Sequence, residues 1–429
     1  MLPHNHPLRI QLNDEVHARP PEALAAPLAV SFLALFSGPD AHARQWAHVA
    51  ELARRFDAPP PAAGANHYSA DCGAFRINWE RHSEYSRYKF IVTGAGDGPF
   101  APPAIAAAPA DWIEALPGQL LVAAHITLVK DPGGAVDHDA IAARWFGGNA
   151  LVGAAIAGGA AVALTDFRIA PDQFSRLLVL DRGMTPRQSG RMVRRLVEMD
   201  TYRILALLAL PVARSLSPFL DRSERELAQI TTVLAASGEA DEPVLLDRLT
   251  RLEAEIDSRA AENHSRFSAA AAYYELVARR TVELREERIP GLQTFGEFTE
   301  RRLAPAMNTC RTVAERMESL SQRVARATQL LSTRVDVTRE RQNQAVLEST
   351  NRRAKMQLRL QETVEGLSVA AVTYYVVGLV GYVAKGAKAA GSDWNPDLVM
   401  AISIPVVAVA VALGVRKIRK AMTNTAVGN

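Results

Sequence analysis

The densest group of side chains that could do chemistry lies near the start of the chain, at Asn13, Asp14, Glu15, His17 and Arg19. The group is a candidate for catalysis, and His17 together with His4 and His6 could in principle bind a metal ion. The spacings match no metal-binding motif, however, and Asn-Asp followed by Arg-Pro-Pro is also what an ordered loop needs for its turns. We therefore favour a structural role, and we expect no catalytic residue, no metal site, no cofactor and no enzymatic activity.

A second candidate is the glycine-rich segment from Gly94 to Gly98, which resembles a phosphate-binding loop. No Lys-Ser or Lys-Thr pair follows it, and Pro99 turns the chain away from the helix that a phosphate would need. The segment therefore predicts a turn. The patterns Gly-x-Ser-x-Gly, His-Glu-x-x-His and Cys-x-x-Cys do not occur in the chain.

Composition indicates a soluble body with a small membrane portion. The chain has 429 residues, of which 22% are charged, and a net charge of +3, which suggests about two to three domains. This basic excess is small for a nucleic-acid-binding protein, so we expect no nucleic-acid partner. Cys72 and Cys310 lie far apart, which indicates neither a disulfide framework nor a zinc site and agrees with a reducing cytoplasm.

Two apolar segments near the C-terminus, at 367–384 and 397–415, are the features that decide the localisation. Each carries roughly the 17 to 20 uncharged residues that a helix needs to cross about 30 Å of hydrocarbon. The alternative is a buried helical hairpin in a soluble domain. We favour membrane spans because core helices are normally amphipathic, whereas these segments are apolar all round. The N-terminus lacks the apolar core of a signal peptide, so we expect insertion to rely on these two segments.

Orientation follows from the basic residues that flank the two segments. Four precede the first and four follow the second, while the connecting loop balances Lys385 and Lys388 against Asp393 and Asp397. The positive-inside rule then places both termini in the cytoplasm and only the loop outside. The flanking residues are Arg352, Arg353, Lys355, Arg359, Arg416, Lys417, Arg419 and Lys420.

The first 185 residues alternate strand-like runs with turn signals and predict a mixed α/β domain. A helix is predicted at 40–56, where apolar residues recur at helical spacing. The uncharged stretch 145–165 contains Gly158-Gly159 and predicts a hairpin rather than a membrane helix, with strand structure continuing to Leu180. The predicted strands before it are 28–36, 75–81, 88–93 and 120–129.

After Thr185 the pattern changes to helices, with predicted helices at 187–215, 221–236 and 242–288 and with kinks or divisions at Pro211 and Pro218. From Ala306 to Ala384 a continuous helix would be on the order of 120 Å long, far beyond the size of one small domain. Such a helix needs neighbouring helices to stabilise it. Its irregularly spaced apolar residues predict a seam shared with residues 242–288 and with symmetry-related copies of the chain.

The predicted fold class is an α+β cytoplasmic domain followed by a long helical stalk and two C-terminal transmembrane helices. The predicted domains are the α/β domain at 1–185, a helical region packing on the stalk at 186–300, the stalk helix at 301–366, a first transmembrane helix at 367–385, an outer loop at 386–396, a second transmembrane helix at 397–415, and a basic cytoplasmic tail at 416–429.

This order of parts resembles the CorA-type divalent-cation channels over residues 242–420, by layout more than by residues. The resemblance implies a CorA-like architecture, a pentamer of identical chains and a pore lined by the first span. The family's Gly-Met-Asn signature is absent, because 381–386 reads Gly-Tyr-Val-Ala-Lys-Gly, and the outer loop is not acidic. Magnesium selectivity is therefore not carried over.

Several motifs also resemble a bacterial family of predicted membrane-anchored proteins, domain of unknown function 3422. The resemblance spans the whole chain and implies a bacterial inner membrane, but it brings no activity. The motifs are His6-Pro-Leu-Arg9, Leu12-Asn-Asp-Glu-Val-His-Ala-Arg-Pro-Pro21, Gly158-Gly-Ala-Ala, Thr165-Asp-Phe-Arg168 and Asp181-Arg-Gly-Met-Thr-Pro-Arg-Gln-Ser-Gly190.

Two functional hypotheses remain. The first is an oligomeric ion channel or transporter of unknown selectivity, gated by the cytoplasmic domain; the second is a non-conducting membrane-anchored scaffold or sensor. The expected partners are other copies of the chain and the lipid bilayer, together with an inorganic ion in the channel hypothesis. The pore-lining face predicted from three- and four-residue spacing is Glu362, Gly366, Val369, Thr373, Val377, Val380 and Ala384.

Overall fold

The computed structural model describes residues 4–10, 12–13, 22–94, 98–131, 133, 136–236, 241–391 and 393–426. The chain divides into two compact units. The first unit consists of Met1–Ala236 with Leu245–Thr328, and the second of Ser237–Val244 with Gln329–Asn429.

The first unit is built around an eight-stranded sheet with the order β2-β3-β4-β1-β5-β8-β7-β6. Only β5 and β8 run parallel; the other neighbouring strands of the described sheet are antiparallel. The central strand β1 is a nearly continuous apolar run buried on both faces, as expected for a strand covered on two sides. The strands are β1 Leu28–Phe36, β2 His67–Asp71, β3 Arg76–Arg81, β4 Tyr85–Thr93, β5 Gln119–Lys130, β6 Val152–Ile156, β7 Ala161–Thr165 and β8 Ser175–Asp181.

One face of the sheet is covered by the first helices of the chain. Helix α1 (His42–Arg55) and the short helix α2 (Ala110–Glu114) contribute to a core with the aromatic residues of β3 and β4. Trp79 and Trp112 are among its fully buried side chains. The predicted helix 40–56 and the four predicted strands before residue 145 are therefore confirmed, within a few residues at their ends.

The uncharged stretch 145–165 forms the predicted hairpin. Helix α3 (His138–Trp145) precedes it, and β6 and β7 are joined by a turn in which Gly158 and Gly159 have φ of +68° and +80°. Glycine adopts such angles without the steric cost that a side chain would add. Continuation of strand structure through 167–169 is wrong, because Phe167 has a φ of +52° and β8 begins only at Ser175.

Helices α4 (Pro186–Leu207), α5 (Ala209–Ala236) and α6 (Glu242–Leu284) follow the sheet. Thr185 and Gln188 form a capping box that starts α4, with proline at its first position. A break falls at Leu208, three residues before Pro211, which lies in the first turn of α5, so the division predicted at Pro211 is confirmed within three residues. No break occurs at Pro218, which lies inside α5. Helix α7 (Phe295–Arg302) is short and also begins with a capping box.

The last two helices are α8 (Ala304–Ala389) and α9 (Pro396–Ala426). Helix α8 is continuous for 86 residues, which confirms the predicted long element, and it ends four residues beyond the predicted end of the first span. Within the second unit, Arg334 on this helix forms an ion pair of 2.5 Å with Glu242, whose side chain is buried.

Three helical stretches in the described part of the chain are long and apolar enough to cross a membrane: Pro186–Ala236, Phe295–Ala389 and Pro396–Lys417. The first was not predicted as a span. Its most apolar window is 39% buried within the protein, whereas that of Pro396–Lys417 is 0% buried. The two C-terminal stretches therefore have exposed apolar surface that a bilayer would cover. Much of the apolar surface of the first stretch is already buried in the folded core.

Candidate functional site

The polar segment near the N-terminus falls largely outside the described residues, because only Asn13 of the group Asn13, Asp14, Glu15, His17 and Arg19 is described. His6 accepts a hydrogen bond from the backbone N–H of Leu8 through Nδ1, at 3.2 Å. Within the described ranges, no group of three or more His, Cys, Asp or Glu side chains is placed to hold a metal ion. In the glycine-rich segment, residues 95–97 lie outside the description, and Gly98 pairs with Ala101 in a turn.

The motif from Asp181 to Gly190 has structural roles. One carboxylate oxygen of Asp181 accepts the backbone N–H groups of Gly183 and Met184, at 3.0 and 2.7 Å, and so shapes the turn that leads into α4. A Cβ added at Gly190 would overlap the carbonyl oxygen of Glu22, so only glycine permits this approach of the two backbones.

The motif from Thr165 to Arg168 fixes a loop against α7. Phe167 stacks on Phe298 with ring centroids 4.4 Å apart, and the Arg203 guanidinium lies 4.9 Å from the Phe167 ring centroid. Asp166 accepts hydrogen bonds from the backbone of Arg168 at 3.1 Å and from the Asn149 side chain at 2.9 Å. These contacts account for the motif without a ligand.

A concentration of buried charge lies where β3 and β4 meet α4 and α6. The side chains of Arg87, Glu80 and Glu198 are at most 6% exposed, and Arg87 pairs with both carboxylates. Glu198 also accepts hydrogen bonds from Arg194 and Arg280, each at 2.7 Å. We call these five residues the buried charge cluster.

The electrostatics of this cluster indicate a structural role. Burial alone raises the pKa of Glu198, but attraction to Arg87, Arg194 and Arg280 overrides it and lowers the pKa to about 2. A carboxylate that stays ionised at neutral pH and has both oxygens occupied by guanidinium groups is poorly suited to proton transfer. The cluster instead joins the sheet to two helices.

A serine, a histidine and an aspartate also lie together in the sheet. Ser31 Oγ is 2.9 Å from His125 Nδ1, and His125 Nε2 is 4.0 Å from an oxygen of Asp172. Ser31, however, is 0% exposed and already accepts the backbone N–H of Ile105 at 3.0 Å. A nucleophile must be reachable by its substrate. Burial lowers the pKa of His125 to about 4, against the opposing effect of Asp172.

The seven residues predicted to line a pore occupy different environments on α8. Glu362 and Gly366 are exposed, while Val377 and Ala384 are buried, at 9% and 8% exposure. The other three residues, Val369, Thr373 and Val380, are half-buried.

On the side of α8 that carries Val377 and Ala384, the helix contacts α9 of the same chain at Gly381. Gly381 lies against Met400 so closely that an added Cβ would be 2.7 Å from its Sδ atom. The Thr373 hydroxyl donates to the carbonyl oxygen of Val369 at 2.7 Å and so is satisfied within its own helix. The C-terminal part of the predicted pore face, with Val377 and Ala384, thus lies on the side of α8 that meets the second apolar helix.

Beside this contact runs an open groove of about 930 Å³ between α8 and α9. Most of its lining is apolar or aromatic, with the Thr373 hydroxyl and the Asp397 carboxylate as polar exceptions; Tyr374, Tyr382, Met400 and Ile404 line it as well. The outer surface of the two helices is also apolar. Its large exposed side chains include Tyr375, Leu379, Val383, Leu398, Ile402, Val406, Val409 and Leu413.

Comparison with known proteins identifies the chain at family level. The family model described as Protein of unknown function (DUF3422) matches residues 4–422. No curated protein and no solved structure matches the chain.

Proposed function

We propose a function for this chain, which belongs to the DUF3422 family: it is a self-assembling protein anchored in the bacterial inner membrane by the end of α8 and by α9. The observation that carries the proposal is the exposure of large apolar side chains along both helices, including Leu379 at 69% and Ile402 at 60%. Exposure of such a surface to water costs about 25 cal/mol of free energy for each Å² of apolar area. A bilayer covers it without cost.

The flanking charges support one orientation. Basic residues concentrate before the first span and after the second, and the connecting segment carries both signs. By the positive-inside rule, both termini and the sheet domain then face the cytoplasm. Trp394, 69% exposed in the connecting segment, lies where an aromatic side chain would meet the outer interface.

Self-assembly is supported by the charged part of α8 that precedes the first span. Met356, Leu360, Val364 and Leu367 are 57% to 73% exposed, and their spacing of four, four and three residues places them on one side of the helix. An isolated helix gains no stability from such a stripe, whereas neighbouring copies of the same helix would bury it. We name these four residues the stalk stripe.

A non-conducting scaffold or sensor is the function that the hairpin geometry supports best, because Val377 and Ala384 are already buried within one chain and Gly381, on the same side of the helix, lies against Met400 of the second span. The CorA-like channel, expected as a pentamer, is the second candidate. In its favour are the Thr373 hydroxyl and the Asp397 carboxylate, which line an otherwise apolar groove between the spans. In this hypothesis the ion is unspecified, and Glu362 forms a ring of carboxylates at the inner mouth.

The assembly is tested by the mass of the purified protein in detergent, corrected for bound detergent by light scattering. We expect a mass that is a multiple of the 46.6 kDa chain. Leu360→Lys places a charge in the stalk stripe and should dissociate the assembly. Leu358→Lys is the matched control, because Leu358 is also exposed but lies on the opposite side of the helix. A wild-type monomer, or equal behaviour of the two variants, contradicts the proposal.

Conduction is tested separately with the protein in lipid vesicles. If the channel hypothesis holds, wild type moves ions above empty vesicles, Val377→Ser increases the flux by wetting the constriction, and Glu362→Gln lowers the preference for cations. If neither wild type nor Val377→Ser moves any cation or anion, the protein is the non-conducting scaffold.

A further inference from the structure

A small open cavity in the first unit is lined by polar side chains. It lies where the start of α1 approaches the turn between β3 and β4, and its volume is about 360 Å³. The lining residues are His42, Asn66, Arg81, His82 and Ser83. We call it the β3–β4 pocket. Its lining offers a guanidinium, two imidazoles, an amide and a hydroxyl, with no carboxylate.

The walls of this pocket are held by the sheet. The backbone N–H of Arg81 donates to the carbonyl oxygen of Asn66 at 2.7 Å, and that of His82 donates to the carbonyl oxygen of Tyr85 at 2.8 Å. The His82 ring stacks on Tyr85 at 4.3 Å between centroids. The backbone that carries the lining side chains is therefore already ordered before a ligand binds, which lowers the entropic cost of binding.

The pocket has more positive charge than its partners neutralise. Arg81 is half-buried, and its guanidinium forms no ion pair with a carboxylate of the described residues. Most arginines around the sheet do pair: Arg87 with Glu80 and Arg266 with Glu84. A partly desolvated cation without a counter-ion is unfavourable, and a bound anion would remove that cost.

His42 supplies a second unsatisfied group. Its Nε2 atom is buried and has no hydrogen-bond partner in the described part of the chain. Burial lowers the pKa of His42 and the neighbouring Arg81 adds to this effect, while Asp40 opposes it. Buried polar atoms are nearly always hydrogen-bonded in folded proteins, so this nitrogen in the wall of a polar pocket is available to form a hydrogen bond with a ligand atom.

The amide of Asn66 completes the set. Its Oδ1 lies 3.2 Å from Nδ1 of His67, which assigns the carbonyl oxygen to that neighbour and leaves the NH₂ group as a donor. The pocket therefore offers donors of three chemical types around one guanidinium. Phosphate oxygens accept hydrogen bonds from all of them, and arginine binds phosphate in a bidentate manner.

We propose that the β3–β4 pocket binds a phosphate group, carried by inorganic phosphate or by a small phosphomonoester. The volume is at the small end of the range for ligand sites, which suits a phosphate with a short substituent. Arg81 supplies the charge, and His42, Asn66 and Ser83 supply hydrogen bonds. The site does not depend on membrane anchoring or on self-assembly, because all its residues belong to the first unit.

Binding is tested on the full-length protein in detergent at neutral pH by calorimetric titration, with inorganic phosphate as the first probe and short-chain phosphatidic acid as the second. We expect saturable binding with one site per chain. Binding of inorganic phosphate indicates a soluble ligand, and binding of phosphatidic acid alone indicates a lipid headgroup. The proposal is overturned if neither probe shows saturable binding up to about 10 mM, which corresponds to a binding free energy of about −3 kcal/mol or weaker.

Two pairs of variants localise the site. Arg81→Gln should weaken binding by about tenfold or more because it removes a charge-assisted contact, while Arg44→Gln, which changes an exposed arginine of α1, should leave binding unchanged. Ser83→Asp introduces a repelling charge at the exposed rim without removing an internal contact, and Ser83→Asn is its neutral counterpart. Tighter or equal binding by Ser83→Asp relative to Ser83→Asn contradicts the proposal even if Arg81→Gln fails to fold.

Discussion

Replacement of Glu198 by an uncharged residue of the same shape should strongly lower the free energy of unfolding of the sheet domain. Its carboxylate receives hydrogen bonds from Arg87, Arg194 and Arg280, and its side chain is only 4% exposed. Glu198→Gln keeps the volume but removes the negative charge. Of its two carboxylate partners among the described residues, Arg87 then keeps Glu80, and Arg194 loses its ion pair with Glu198.

The size of the effect follows from the electrostatics of the folded state. The pKa of Glu198 falls from 4.5 to about 2. At about 1.4 kcal/mol for each tenfold change in proton affinity, this corresponds to about 3 kcal/mol of folding free energy. Removing one partner of a buried ion pair costs about 3 to 5 kcal/mol in other proteins, which agrees. For a domain of this size we expect the melting temperature to fall by about 5 to 10 °C.

Tryptophan emission of the full-length protein in detergent provides the assay. Trp79 and Trp112 are buried in the sheet domain, at 0% and 1% exposure, and report its unfolding. Glu255→Gln is the matched control, because Glu255 pairs with Arg259 at 3.6 Å but both side chains are about half exposed, at 54% and 43%. An exposed pair of this kind contributes about 0.5 kcal/mol or less.

The same variant has a pH signature. Because the folded-state pKa of Glu198 is lower than the unfolded-state value, its stabilisation is fully present above about pH 4.5 and is lost as the pH falls towards 2. The gap in melting temperature between wild type and Glu198→Gln should therefore narrow as the pH falls through this window. A gap no larger than that of Glu255→Gln at pH 7, or a gap that does not narrow in acid, refutes this reasoning.

Three further predictions follow from other parts of the chain. Burial lowers the pKa of His125 from 6.5 to about 4, so wild-type stability should decrease as the pH falls from about 6.5 to 4, and His125→Gln should flatten the melting temperature across that window. Gly190→Ala should destabilise the sheet domain by about 1 kcal/mol or more in chemical unfolding, whereas Gly183→Ala, at a position with open space around its added Cβ, should cost less. In a cysteine-free background on intact cells, Asp393→Cys should react with an impermeant maleimide and Arg353→Cys should not; equal labelling contradicts the orientation.

Local signals were sufficient for most of the sheet domain and for the long helix. The hairpin between β6 and β7 was predictable because Gly158-Gly159 permits the positive φ angles of its turn. The absence of proline between Ala306 and Ala384 similarly allowed one continuous helix. In both cases the information lies within neighbouring residues, where pattern and propensity operate.

Features that depend on distant residues were not predictable in this way. The parallel pairing of β5 with β8 joins segments about 50 residues apart and leaves no local mark. The buried charge cluster joins Arg87 to Glu198, 111 residues apart. Its one local sign was a charged residue in the middle of an aromatic strand, Tyr85-Ser-Arg-Tyr88, which is costly to bury without a partner.

The prediction for the first span shows what periodicity can and cannot determine. Spacing correctly indicates that Val377 and Ala384 share one side of α8, but a helix that is apolar all round does not reveal which side meets a partner. Small residues are the better signal, because they allow helices to approach closely in a membrane. Gly381 and Ala384 lie on the side that contacts α9, and Gly381 has no room for a side chain beside Met400. A pore shared by several copies would then have to use the Thr373 groove or the tyrosine-bearing surface. Gly381→Leu separates the two apolar helices and should damage assembly or folding in either functional hypothesis. Val377→Ser distinguishes between the hypotheses, because it should increase ion flux only if the protein conducts.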